Sequence, residues 1–210
     1  MSGWDGLITG AMPPARAGAS CRVTPPTRDR EVRDLLMQWL ERKHAGERDT
    51  ILVEELGLNR RLVRADVAVV NGLLHGYEIK AARDNLNRLA RQVRVYGDVF
   101  DRSTLVVDSR HLSKARTLVP DWWEIITIVD GGLRIERRGR RNPSRQPRTL
   151  VELIWRDDAL ALLEKKGEAR GFRKRPRHQI WDRVCELYSV NEVAAVVRSH
   201  LKARSAHAAG

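Results

Sequence analysis

The sequence predicts an α/β protein, a central mixed sheet with helices on it, and three observations point there. Apolar residues recur at helical spacing from Arg28 to about His44. The stretch from Arg64 to Lys80 alternates as two neighbouring strands do. Beyond it, helical and β-branched segments take turns to about Val129.

The elements follow in order. Residues 1–27 are rich in Gly, Pro, Ala and Ser without apolar periodicity, and read as a flexible arm. Val32, Leu35, Leu36, Trp39 and Leu40 make the first helix amphipathic. Ile51–Leu56 is a short strand, and the paired strands around Asn71-Gly72 come next. Asp84 to about Val99 is a helix with Leu86, Ala90, Val93 and Gly97 along one stripe. Ser103–Val107 is a strand, His111–Leu118 a helix, and Glu124–Val129 a strand ended by Gly131-Gly132. Trp122 and Trp123, at the entry of that strand, read as packing groups. Residues 28–133 thus form one domain with the order helix, three strands, helix, strand, helix, strand.

The paired strands carry Asp66, Glu78 and Lys80, and register decides whether these meet, because strand side chains alternate faces. A two-residue Asn71-Gly72 turn would put Asp66 on the face opposite Glu78. A loop with an odd number of residues, such as Val70-Asn71-Gly72 with a left-handed glycine at a bulge, joins like parities. One face then holds Val63, Ala65, Val67, Val69, Leu73, His75, Tyr77 and Ile79; the other holds Arg64, Asp66, Ala68, Val70, Leu74, Gly76, Glu78 and Lys80. The odd register is expected, since it makes one face largely apolar and gathers the charges at the open end of the other. Two carboxylates and an ammonium brought together can hold Mg²⁺ and a water against a phosphodiester.

Charge narrows the partner. Lys+Arg 39 against Asp+Glu 27 gives a net charge of +12, which favours a polyanion, nucleic acid first. No apolar run is long enough to span a membrane, and no secretory signal opens the chain. Cys21 and Cys185 suggest neither a metal cluster nor a disulfide framework, so a reducing cytoplasm is the expected compartment. The six histidines are scattered without a zinc-type pair, His75 reads as a strand residue, and no phosphate-binding glycine loop is present.

With Asp66, Glu78-Ile79-Lys80 and the order of elements in place, the chain resembles the PD-(D/E)XK nuclease superfamily over roughly residues 28–130, with a RecB-like or Holliday-junction-resolvase-like core. That superfamily shares a restriction-endonuclease-like core of helix, three strands, helix and strand. Its aspartate lies on the second strand and Glu-x-Lys on the third. The proline of its name is missing here, since Ala65 precedes Asp66; the proline supplies no ligand. Gln92-Val-Arg-Val-Tyr96 resembles the Gln-xxx-Tyr element of RecB-like members, and positions i and i+4 share a helix face. Glu55-Leu-Gly-Leu58 and Val99-Phe-Asp101 resemble phrases of uncharacterised bacterial members.

The resemblance implies Mg²⁺- or Mn²⁺-dependent hydrolysis of phosphodiesters, in DNA rather than RNA, in repair, recombination or defence. It implies that Asp66, Glu78 and the backbone carbonyl of Ile79 ligate the metal, and that Lys80 positions the attacking water. A third carboxylate is expected from Glu31 or Glu55, and the sequence does not choose between them. The alternative is a nucleic-acid-binding protein that keeps the nuclease fold without turnover.

Residues 134–148 read as an Arg-rich linker, either a phosphate-contacting strap with Arg137, Arg138, Arg140 and Arg141 or a solvated connector. Residues 149–205 read as a small helical C-terminal domain. It begins with a short strand over Leu150–Trp155, continues with helices over Asp157–Lys166, His178–Leu187 and Glu192–Lys202, and carries Ser189 and Glu192 as a capping box. That unit is suited to dock DNA, to form a homodimer or to bind a protein partner.

Overall fold

The computed structural model describes residues 29–208, so the predicted N-terminal arm lies outside the described residues. Six strands form one mixed sheet in sequence order: β1 Ile51–Leu58, β2 Val63–Val70, β3 Leu74–Lys80, β4 Arg102–Asp108, β5 Glu124–Val129 and β6 Gly132–Arg137. β2 runs antiparallel to both β1 and β3; β3, β4 and β5 run parallel, and β6 turns back on β5. Each parallel step needs a crossover. Helix α2 (Leu89–Val99) supplies the first and α3 (Leu112–Leu118) the second.

The odd register holds. Val70 pairs with Leu74, and Val69 with His75, leaving the three-residue loop Asn71-Gly72-Leu73. The loop sits one residue later than expected, and no left-handed glycine closes it, because Gly72 has no positive φ. Asn71 closes it instead: its side-chain oxygen accepts the Leu73 N–H at 3.0 Å, and its own N–H donates to the Leu73 carbonyl at 3.1 Å.

Both faces of the sheet are covered. Helix α1 (Asp29–Lys43) lays Val32, Leu36 and Leu40 on Val67, Val69, Tyr77 and Ile79 of the odd face. On the other face Ala68, Val70 and Leu74 join a larger core with Leu89, Tyr96 and Val99 of α2. The buried side of α2 therefore runs through Leu89, Val95, Tyr96 and Val99, not the expected Leu86–Ala90–Val93–Gly97 stripe, and Ala90 is exposed. The helix also begins five residues later than expected. The Asp84 carboxylate accepts the Ala81 N–H at 2.8 Å, and the Asn85 side chain accepts from Asn87, which holds the preceding residues in turns.

Two further expectations are corrected beyond Val129. The expected connector at 134–148 starts inside strand β6, so its residues 134–137 are strand. Asp130 and Gly131, with φ of 49° and 75°, form the two-residue loop whose left-handed pair suits a tight hairpin, and Val129 pairs with Gly132. The expected strand at 150–155 is replaced by helix α4 (Pro147–Val151), with Pro147 in its first turn, where a missing N–H costs nothing. Helices α5 (Arg156–Lys165), α6 (Arg177–Leu187) and α7 (Val190–Ala208) follow. Ser189 and Glu192 form the capping box, with the Glu192 carboxylate accepting the Ser189 N–H at 2.8 Å. The C-terminal helices have no core of their own, since Leu150, Leu163, Trp181 and Val197 belong to the same cluster as Leu74 and Tyr96.

Gly76 on β3 shows how tightly that core closes, because a Cβ there would collide with the buried Phe100 ring. Gly76→Ala is expected to destabilise the protein by about 1–3 kcal/mol through overpacking. Gly72→Ala, with nothing within 4 Å of the added carbon, leaves the urea midpoint nearly unchanged.

Candidate active site

The ladder between β2 and β3 stops at the Val67–Tyr77 pair, and the carboxylates gather beyond it. Asp66 Oδ2 accepts the Ile79 N–H at 2.7 Å, so a side chain occupies the place of a neighbouring strand's carbonyl. On the next two even positions of β3, Glu78 and Lys80 are 1% and 5% exposed, and the Lys80 ammonium donates to Glu78 Oε1. Charged groups this deep persist only when paired and hydrogen-bonded.

Glu78 is held from α2 as well. Gln92 Nε2 donates to its Oε1, and the Tyr96 hydroxyl donates to its Oε2 at 2.8 Å and to the Tyr77 carbonyl at 3.2 Å. The i, i+4 spacing thus aims both residues at one carboxylate. Gln92 Oε1 is buried without a hydrogen-bond partner among the described residues. Toward the amino end of β3, on the opposite face, His75 is hydrogen-bonded to Thr104 and Tyr77, and burial holds its pKa well below the ordinary value. Trp123 is buried against Tyr96, with ring centres 5.2 Å apart.

Arg33 ties the first helix to this corner. Its guanidinium lies 3.3 Å from Asp66 Oδ1, 2.6 Å from Glu55 and 3.2 Å from Asp29, and donates to the Asp66 carbonyl at 3.1 Å. Of the two candidate third carboxylates, Glu55 reaches the site through Arg33 and Glu31 is exposed on α1. Glu55 also has a φ of 53° inside a strand, a conformation that L side chains rarely adopt. It interrupts the β1–β2 pairing opposite Asp66, since the ladder passes from Glu54–Val67 to Leu56–Ala65.

The triad, Gln92 and Glu55 line a cleft of about 470 Å³. Its rim holds Arg61, Arg64, Arg83, Arg88 and Arg91, all exposed. These arginines, and not those of the 134–148 segment, surround the carboxylates. Arg137 donates to the Trp123 and Pro120 carbonyls, while Arg141 and Arg145 lie 3.3 and 3.1 Å from the buried Asp101. Asp101 in turn accepts the Leu74 N–H at 2.9 Å, at the far end of β3, about 20 Å from Lys80 at the usual rise per residue. Arg138 and Arg140 are exposed and also lie outside the cleft. The missed arginines carried a signal: Arg88 and Arg91 fall on the turn of α2 that presents Gln92.

Burial and proximity set the protonation of the two carboxylates. Burial, then the neighbouring Glu78, pushes Asp66 up to about 7, against the Ile79 N–H, Lys80 and Arg33. Burial also raises Glu78, opposed by Lys80, Tyr96 and Gln92. No group of three or more His, Cys, Asp or Glu side chains arranged for a metal occurs among the described residues. The donor set suits a hard divalent cation all the same: two carboxylates disfavoured by burial, Asp66 also by its neighbour Glu78, with the buried, unpartnered Gln92 Oε1 on the side chain that donates to Glu78. Mg²⁺ needs few protein ligands, since water and phosphate complete its shell.

Residues 25–209 match the family model described as Bacteriophage P4 protein cII. Protein cII of Enterobacteria phage P4 is 32% identical over 87 residues, 41% of this chain and 33% of that protein. The chain therefore spans about a third of that relative's length. Among solved structures, the SPO1766 protein of unknown function from Silicibacter pomeroyi is similar over 65% of this chain and 89% of its own, with 18% identity and a TM-score of 0.39.

The Asp66 shift has a consequence for stability. With its folded pKa at about 7, above the ordinary 3.8, the folded chain holds an extra proton between about pH 4 and 7 and loses stability as pH rises through that window. Asp66→Asn is expected to be more stable than the wild type by roughly 1–3 kcal/mol at pH 8 in EDTA. The gain shrinks toward pH 4, as urea unfolding across the pH range will show.

Proposed function

The chain belongs to the bacteriophage P4 protein cII family, and we propose that it is a metal-dependent nuclease with a restriction-endonuclease-like core, hydrolysing phosphodiester bonds in DNA. The observation that carries this reading is the convergence of Asp66, Glu78 and Lys80 with Gln92 and Tyr96 in one arginine-rimmed cleft. A site built for binding alone has no use for two buried carboxylates facing a phosphate backbone, because they repel it.

The residues divide the chemistry among them. Asp66, Glu78 and the Ile79 carbonyl would hold Mg²⁺ or Mn²⁺. Such an ion polarises a phosphodiester oxygen and favours hydroxide over water as nucleophile. The Lys80 ammonium, fixed by Glu78, orients that water and offsets the negative charge that grows on the phosphorus oxygens. Tyr96, whose pKa burial and Glu78 hold well above the ordinary value, stays a hydrogen-bond donor and fixes the Glu78 carboxylate. Arg33 positions Asp66 and Glu55 from outside the reacting centre. Arg83, Arg88 and Arg91 give the backbone of the substrate its phosphate contacts.

The sheet helps in a simple way. Lys80 and Glu78 sit where β3 runs on to its carboxyl end, and β2 no longer pairs there. The opening between the two strands leaves a phosphate room to approach both carboxylates.

Purified protein incubated with labelled duplex and single-stranded DNA is expected to cleave in Mg²⁺ or Mn²⁺ and not in EDTA. Lys80→Ala and Glu78→Gln each lower the rate at least about 100-fold, the scale of losing a preorganised electrostatic group, while the protein remains folded by circular dichroism. Cleavage that survives both substitutions would sink the assignment.

A further inference from the structure

A second cleft, of about 1030 Å³, adjoins the first. The two share Glu55, Arg61 and Arg64 as lining residues, so they are neighbours beside the β1–β2 hairpin. Its far wall comes from the C-terminal helices, which bring Trp155, Arg177 and Arg204 opposite Arg60 and Arg61.

The chemistry of this wall is that of a nucleic-acid surface. Trp155 is 59% exposed, although a side chain so large is usually covered. Only part of its ring is taken up, by the edge of His200 at 4.9 Å and the Arg204 guanidinium at 5.6 Å. Three large apolar side chains are exposed among the described residues, Leu62, Ile135 and Trp155. Two of them lie in these clefts, Leu62 in the first and Trp155 in the second. Of the three acidic residues along the second cleft, Glu54 is exposed and Glu55 and Glu152 are compensated. Glu152 is paired with Arg148 at 2.7 Å and Arg60 at 3.5 Å, and Glu55 with Arg33 and Arg64. The partly exposed ring stands among Arg60, Arg61, Arg177 and Arg204, which outnumber the one remaining acidic residue, Glu54.

The hairpin between the clefts is equally unusual. Asn59, Arg60 and Arg61 all have positive φ, at 45°, 54° and 67°. Three successive residues in this region are costly and persist only where the surroundings hold them. The turn they build places Arg60 in the second cleft and Arg61 in both.

Resting on the nuclease reading above, we propose that the second cleft is a track for an unpaired nucleic-acid strand leading to Asp66, Glu78 and Lys80, with Trp155 as the platform on which one base stacks. A duplex presents phosphates but no free base face, so a phosphate-binding surface would need the arginines and not the tryptophan. Aromatic stacking accepts any base, and the track therefore selects single-stranded form over sequence.

The test uses the full chain in EDTA, with fluorescence anisotropy of labelled oligothymidylate, the same strand bearing abasic sites, and a duplex. Trp155→Ala is expected to weaken oligothymidylate binding about tenfold, the scale of one base–aromatic stack. Trp155→Phe restores most of it, and the wild type loses a similar factor on the abasic strand while the alanine variant does not. Equal losses on duplex and single strand, or no loss on either, overturn the proposal; the second result leaves the cleft to an acidic protein segment. The two readings fail separately. Binding with this Trp155 signature but no metal-dependent cleavage removes the nuclease and keeps the track, whereas cleavage without the signature removes the track alone.

Discussion

The Asp66 carboxylate on the Ile79 N–H is the contact on which the rest of this molecule turns. Two antiparallel strands normally satisfy each other's backbone to the end of their overlap, and parting them early strands donors and acceptors in a dry interior. Here a side chain takes over the bond, so β2 and β3 can separate one residue past Val67 without an orphaned amide at Ile79. That separation opens the cleft and brings the carboxylate of one strand alongside Glu78 of the other. The positive φ at Glu55 lies across from the same place, where β1 also leaves its partner. Interruptions in two adjacent ladders at one level make a notch in the sheet, and the charged residues line it.

Such a notch is unfavourable to build. Glu78 and Lys80 lie among apolar neighbours, and their attraction only partly offsets the loss of water. Gln92 and Tyr96 make the arrangement tenable by completing the hydrogen bonds of Glu78 from a helix packed on the sheet. Asp66 remains the less satisfied of the two carboxylates, with one backbone donor and one partly exposed arginine. The imbalance is what a cation would remove. A protein selected for stability alone would place an amide or an aliphatic chain there, and stability given up at one corner is a common mark of a functional site.

The sequence made the central part of this legible because strand parity is unforgiving. Asp66 and Glu78 share a face only with an odd loop, and the apolar residues Val67, Val69, Tyr77 and Ile79 require the same loop, so two independent patterns agree on the register. Gln92 and Tyr96 were legible for a similar reason, being one helical turn apart. Other features were not. The strand at 132–137 was hidden by its arginines, which suggested a solvated connector, although Asp130-Gly131 is a strong hairpin signal in its own right. The arginines at 137, 140 and 141 drew attention by density, yet density does not say which end of a sheet a loop returns to. Asp101, a single buried carboxylate at the amino end of β4, holds Arg141 and Arg145 there. The separate C-terminal domain was inferred from a break in composition, and the break marks only the hairpin and the turn into α4.

The continuity of the core gives the C-terminal helices a part in the site. Helix α2 lies between the two: one side of it presents Gln92 and Tyr96 to Glu78, and its Leu89 and Val99 share a cluster with Leu150, Trp181 and Val197. Asn142, just before α4, donates to the carbonyls of Gly97 at 2.6 Å and Phe100 at 2.8 Å, fixing the end of α2 from outside. Tyr96 is therefore located by contacts from both sides, with Phe100 and Trp123 against its ring and the helical layer behind its backbone. A hydroxyl that must stay within hydrogen-bond reach of one carboxylate tolerates little drift of its helix. The helical layer thus has two jobs in one packing arrangement: it backs the helix whose Gln92 and Tyr96 orient Glu78, and it supplies a wall of the neighbouring cleft.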